Sequence, residues 1–357
     1  MLSVLKSWMH RFLSDEEAVL FSLLVILTLL IVLTMGNTLA PVLAGIVLAF
    51  LMQGSIKFLS SKNMPNWAAI TVSFAVFLGG FLAVLGIVIP MVWGQMAKLF
   101  TELPKMIAKG QSLLDLVPEN YPTLITHDQV DSMVKLIGTE VAHSGQWLLS
   151  FSLSQLPVLI SVIVYLILIP ILVFFFLKDK DVILSWFVSF LPDDRPLMNK
   201  IGEEMTIQMA NYVRGKVIEI IIAGIVTYAL FKGFGMNYAA LLAFFVGISV
   251  IVPYLGVLIV SIPVLLIAYF QWGLSPEFAY VMVGYTVIQV LDGMVLVPLL
   301  FSEAVNLHPV IIITAVLFFG GLWGLWGVFF AIPLATLVKS IMNSWPQRHR
   351  IESLEHS

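Results

Sequence analysis

The sequence predicts an all-α polytopic membrane protein, with transmembrane helices, two re-entrant helical hairpins forming an inverted repeat, and an amphipathic helical periplasmic insertion. Three observations predict it. Hydrophobic residues make up 60% of the 357 and charged residues only 11%, against about 25% charged in an ordinary soluble domain. A soluble fold of ~300 residues leaves about a quarter of its unfolded surface wet, too much for this composition, so lipid is the solvent that fits. Finally, several late apolar segments are shorter than the ~20 residues a crossing helix needs, and they flank clusters of Gly and Pro.

Residues 1–17 are polar, with Lys6 and Arg11 ahead of Asp15-Glu16-Glu17. Apolar segments follow at 18–35 and 38–52. The first lacks a small-residue cleavage site and reads as a retained helix rather than a signal peptide. With the 67–92 run they form an N-terminal membrane region, residues 1–92. Residues 93–152 hold six acids and four lysines, and Met96, Leu99, Leu103, Met106 and Ile107 recur at helical spacing. Pro118 and Pro122 break that stretch into pieces. A membrane helix is expected over 153–177, then a polar segment, 178–216, with six basic and six acidic residues. From 217 to 340 only six charges occur in 124 residues, the expected transport core, and 341–357 form a tail.

Within that core, 238–252 and 257–271 flank Pro253-Tyr254-Leu255-Gly256. Segments 309–319 and 327–340 flank the Gly320–Gly327 run. Each pair reads either as two short crossings or as a hairpin returning to its own side, at 237–272 and 306–340. Broken backbone at membrane depth is tolerated where it lines an enclosed cavity. Charge favours hairpins. By the positive-inside rule Lys57, Lys62 and the 178–216 segment are cytoplasmic, as are both termini, and 93–152 is periplasmic. A cytoplasmic C-terminus with Lys339, Arg348 and Arg350 requires 309–340 to turn round. Lys232, at the outer end of its helix, is the charge that opposes this scheme.

The two returning arms share a pattern: Gly256-Val257, apolar residues, Ile262-Pro263; and Gly327-Val328, apolar residues, Ile332-Pro333. A helix plus a hairpin, repeated inverted, is an architecture that places substrate sites near the midplane. Gly and Pro are also common in membrane helices, so chance pairing is the alternative.

Asp292 is the outstanding candidate for chemistry. It lies near the middle of the 277–298 span, where an isolated acid costs at least ~2.5–3.5 kcal/mol on insertion scales. Gln289 shares its helical face. Proton or cation coupling is one reading; an acid pinning helices together is the other. Glu219 reads as the partner of Lys216 or Arg214, or as part of an ion path. Asn306 and His308 open the second hairpin, His308 either as a titratable group or as a residue that starts the helix before Pro309. Gly320, Gly321, Gly324 and Gly327, like Pro253, Tyr254 and Gly256, permit turning and close approach. Trp323 and Trp326 either seal a path or anchor at an interface.

Other classes are excluded or disfavoured. The net charge of −3 and the absence of cysteine speak against a nucleic-acid surface, disulfides and zinc–thiolate sites. No Gly-rich phosphate loop or His-Glu-x-x-His pair occurs. No enzyme, cofactor or metal is expected.

The stretches Gln289–Pro298, Asn306-Leu307-His308-Pro309, Gly320–Leu334, Val252–Gly256 and Tyr212-Val213-Arg214-Gly215-Lys216 together resemble the autoinducer-2 exporter (AI-2E) family, and its permease branch in particular through Phe174–Lys180. The resemblance covers nearly the whole chain. It implies a bacterial inner-membrane transporter, homo-oligomeric, some of whose relatives look like exporters of a furanone signal and others like sodium/proton antiporters. Arg214, Gly215 and Lys216 form a cytoplasmic motif on this view. Many relatives carry Pro where this chain has Val257. Three functions follow as expectations: secondary transport of a small polar solute, Na+(Li+)/H+ antiport through Asp292, and a membrane scaffold docking periplasmic partners through 93–152.

Overall fold

The computed structural model describes residues 16–114, 128–129, 132, 134–136, 138–139, 156–301 and 307–344. Every element among them is helical. In order they are α1 (Glu16–Ser60), α2 (Asn66–Ala83), a π-helical turn (Val84–Val88), α3 (Ile89–Leu114), α4 (Leu156–Lys178), α5 (Lys180–Val188), α6 (Pro196–Gly233), α7 (Ala239–Ser249), α8 (Leu255–Trp272), α9 (Pro276–Leu291), a second π turn (Asp292–Leu296), α10 (Val297–Phe301) and α11 (Pro309–Ser344). Seven stretches among the described residues are long and apolar enough to cross a membrane. Their outward faces carry large apolar side chains in the open, among them Leu23, Ile87, Ile163, Val283 and Leu317. Such exposure is costly in water and natural in lipid.

Two expected segments, 18–35 and 38–52, lie within one hydrogen-bonded helix, α1. It is not straight. The Glu17 carboxylate accepts from the backbone N–H of Met198, while Gly54 lies against Arg214. Those two α6 positions are about 24 Å apart along their helix, whereas Glu17 and Gly54 would be about 55 Å apart on a straight one. Pro41, inside α1, removes one i→i−4 bond and permits the bend. The C-terminal half of α1 packs on α2 and α4 through Ala49, Met52, Val173 and Leu177.

No break occurs at residue 92. Helix α2 runs through the π turn into α3, and the amphipathic face read from Met96, Leu99 and Met106 packs onto α6, α7 and α8. The remainder of 93–152, beyond Leu114, falls mostly outside the described residues.

The chain reverses between α7 and α8. A Cβ added to Gly256 would lie 1.8 Å from the carbonyl oxygen of Ser249, so the end of α7 and the start of α8 are in contact. Tyr254 makes the turn at φ 63° and ψ −50°, a γ-turn closed by Leu255 N–H donating to Pro253 O at 2.7 Å, which is a rare and strained conformation. The far ends of the pair also meet: Gln271 Nε2 donates to Gly235 O at 2.9 Å and its Oε1 accepts from Asn237 N–H at 2.7 Å. Both ends sit beside α3, where Tyr238 donates to Glu102 and Leu241 N–H to Gln95.

Helix α11 reverses as well, at a kink that joins two helical arms. Gly324 has φ 58° and ψ −137°. A Cβ on Gly327 would fall 1.8 Å from the carbonyl oxygen of Phe319, residues that a straight helix would hold about 12 Å apart. Val328 packs on Gly320. Trp323 and Trp326 both stack on Phe330, at 6.0 and 6.1 Å between centroids, and Trp323 abuts Gly36 of α1.

Candidate functional site

A cavity of about 470 Å³ lies where α6, the α7–α8 turn, the Asp292 π turn and the two arms of α11 converge. That volume is within the range of small-molecule sites. Helix α6 contributes Tyr212, Lys216 and Glu219. The spacing i, i+4, i+7 sets the three on one stripe of a helix. The α7–α8 turn contributes Val250, Val252, Pro253 and Tyr254, with Val257 and Leu258 beyond it. Gln289, Asp292 and Gly293 face them, and Val297, Phe301, Ile312 and Ile332 complete the wall.

The polar groups divide into a satisfied and an unsatisfied set. Lys216 and Glu219 are 4% and 2% exposed, and their ammonium and carboxylate pair at 2.8 Å. Lys216 Nζ also donates to Val250 O at 2.7 Å and lies 5.3 Å from the centroid of Phe301. Two charges taken from water are tolerated because each has the other and the ammonium has a carbonyl besides. Asp292 Oδ1 and Gln289 Nε2, in contrast, are buried and have no hydrogen-bond partner. An orphaned acceptor and donor one helical turn apart, on a cavity wall, are groups a bound species would satisfy.

The π turn starts at Asp292. It inserts a wide turn at the acid itself, a feature frequent at functional positions of helices.

Of the predicted residues, Asp292, Gln289, Glu219, Pro253 and Tyr254 share the cavity, and Gly256 shapes its turn. Gly320, Gly321, Gly324 and Gly327 do not line it; the second turn contributes through its arms, at Ile312 and Ile332. His308 is exposed, and its Nδ1 accepts from Val310 N–H at 3.3 Å, which is the helix-starting role. Asn306 lies outside the described residues. Arg214 packs on Gly54, and Gly215 on Phe301. Lys216, expected both as a partner for Glu219 and as part of the Arg214-Gly215-Lys216 motif, forms that pair and lines the cavity. The stripe Tyr212, Lys216, Glu219 held that signal, since two charges and a phenol recurring at helical spacing beside an apolar run form a polar face.

The fold and this cavity define a class: a multi-pass helical membrane protein with a charged, solute-sized site between broken helices is a membrane transport protein. The profile of the AI-2E family transporters matches residues 20–347. The candidate permease PerM of Escherichia coli (strain K12) is 42% identical over 346 residues, covering 97% of this chain and 98% of that one. The candidate transport protein YrrI of Bacillus subtilis (strain 168) is 25% identical over 85% of each chain. A candidate transport protein of Thermotoga maritima is 35% identical over 149 residues, 39% of this chain and 42% of that one. The chain belongs to the AI-2E transporter family.

Proposed function

We propose that the protein is a secondary permease moving a small polar solute, with the cavity around Asp292 as its substrate site. One observation carries the reading: Asp292 and Gln289 present unsatisfied polar atoms to a cavity that two reversing helical segments also line. On this reading α7–α8 and the arms of α11 are re-entrant hairpins related as an inverted repeat. Their shared Gly-Val start, with each glycine pressed on the carbonyl of the preceding arm, supports it. The 11 residues of α7 span only about 16 Å, too little to cross ~30 Å of hydrocarbon, which supports re-entry on one side. The open ends then face the periplasm with α3, and the chain termini the cytoplasm of a bacterial inner membrane.

Charge narrows the cargo. Lys216 and Glu219 pair with each other, and Asp292 is the acid on the cavity wall with no ion-pair partner among the described residues, an arrangement that disfavours anionic solutes. Exchange of a monovalent cation for a proton at Asp292 is the second reading, and the lone acid with an unpartnered oxygen is what favours it. Of the segment 93–152 on which a scaffold role would rest, the part in α3 has its apolar face packed inside the protein.

The test is Asp292→Asn in proteoliposomes. Uptake or efflux of candidate solutes should be lost while insertion and the detergent elution profile stay as in the wild type. A pH-sensitive dye inside the vesicles separates the readings, because only the exchanger moves protons on addition of sodium or lithium. Unchanged transport by the variant rules Asp292 out of the site.

A further inference from the structure

Tyr212 and Lys216 stand four residues apart on α6, and each holds a backbone carbonyl of a different reversing segment. Lys216 Nζ donates to Val250 O at 2.7 Å. Val250 caps the C-terminus of α7, where the last carbonyls of a helix lack intrahelical donors and the helix dipole favours a cation. Tyr212 Oη donates to Phe329 O at 2.7 Å. Four residues after Phe329 the helical donor would be the N–H of residue 333, which is Pro333 and has none. The phenol supplies the donor that the proline removes. Both contacts therefore satisfy carbonyls that the local backbone strands, one at a helix end and one at a proline.

The same two side chains meet through a third. The ring of Phe301 lies 5.9 Å from the Tyr212 ring and 5.3 Å from the Lys216 ammonium, and Gly215, between the two on α6, is small enough for Phe301 to press against it. Phe301 ends α10, the continuation of the helix that carries Asp292. One face of α6 thus touches the first turn, the second reversing segment and the Asp292 helix at once.

The geometry points to Tyr212 and Lys216 as a two-point clasp, positioning residues that make the two hairpins move together by holding one backbone carbonyl of each against α6. Lys216 joins the clasp to the substrate site, because the ammonium that holds Val250 also neutralises Glu219. A cationic group arriving in the cavity competes with that ammonium for the carboxylates and loosens the first hairpin. Movement of the hairpins is taken over from the transport reading; the contacts themselves are independent of it.

The chain has no cysteine, so a single introduced thiol reports its own surroundings. Leu258→Cys reports the cavity at the first hairpin and Ile332→Cys at the second. Reaction of each with a hydrophilic methanethiosulfonate is followed in proteoliposomes, without any transport measurement. Lys216→Met should raise both rates about tenfold, the effect of losing a charge-assisted hydrogen bond. Tyr212→Phe should also raise both. Lys216→Arg, which keeps a cationic donor, should leave them near the parent rates. A rise confined to the hairpin whose own bond was cut, or no rise, overturns the clasp. Should Lys216→Met fail to fold, Tyr212→Phe decides alone: it must speed Leu258→Cys, on the hairpin it does not touch. Loss of the transport reading would show in the Asp292→Asn assay and leave these rates unaffected.

Discussion

The two reversing segments solve one geometric problem with different chemistry. The α7–α8 pair turns at Pro253-Tyr254, where polar contacts hold both its ends: Lys216 on Val250 at the turn, and Gln271, Tyr238, Gln95 and Glu102 at the open end. The α11 segment turns at Gly324 and is fixed mainly by aromatic stacking of Trp323 and Trp326 on Phe330, with Tyr212 on Phe329 near its turn. Only the first brings its turn to the cavity. The lesson is that the polar-anchored element brings its turn to the cavity, whereas the aromatic one brings only its arms. Polar contacts can be exchanged for a solute's own groups, whereas stacked rings cannot.

The sharpest way to break that contrast is at Lys216. Lys216→Met leaves Glu219 buried and unpaired, and breaking a buried ion pair in this way costs about 3–5 kcal/mol. The variant should melt well below the parent in a fluorescence thermal scan in detergent. Lys216→Met with Glu219→Gln removes both charges and should recover most of the loss, because the two changes share one interaction. If the double variant melts no higher than the single, the first turn does not depend on the pair.

Next in size are the glycines that the two segments share. Gly256→Ala and Gly327→Ala each set a methyl 1.8 Å from a backbone oxygen, which no rotamer can relieve. Each should lose about 3 kcal/mol or more, and by similar amounts. Gly293→Ala, on the cavity wall with open space around it, is the control and should fold normally. Tolerance of Ala at one position and not the other would separate the two turns and weaken their relation as repeats.

How far the sequence reveals all this differs between fold and site. Membrane residence follows from composition, and the two reversals follow from Gly and Pro set between short apolar runs, although α8 as it forms, Leu255–Trp272, is itself long enough to cross a membrane. The candidate acid Asp292 stands out because charge is rare in its surroundings. Lys216 does not stand out in the same way. It closes a polar segment, and its sequence neighbours suggest the surface; only the packing of Val250 and Phe301 over it makes it a cavity residue. The bend in α1 is likewise hidden, because a Pro in a long apolar helix fits a continuous rod as well as a bent one. The role of Tyr212 depends on Pro333, which is 121 positions further along, and no local pattern joins them.

That last pairing gives the smallest effect and the cleanest discrimination. Tyr212→Phe leaves the Phe329 carbonyl buried without a donor and should cost about 1–2 kcal/mol. Pro333→Ala restores an N–H four residues after Phe329, so the carbonyl can then be satisfied within its own helix. The loss on removing the hydroxyl should therefore shrink toward zero in the Pro333→Ala background. A thermal double-mutant cycle measures the difference directly. Equal losses in both backgrounds would mean that the phenol contributes by filling space, as the rings of α11 do, and the second segment would then owe its position to packing alone.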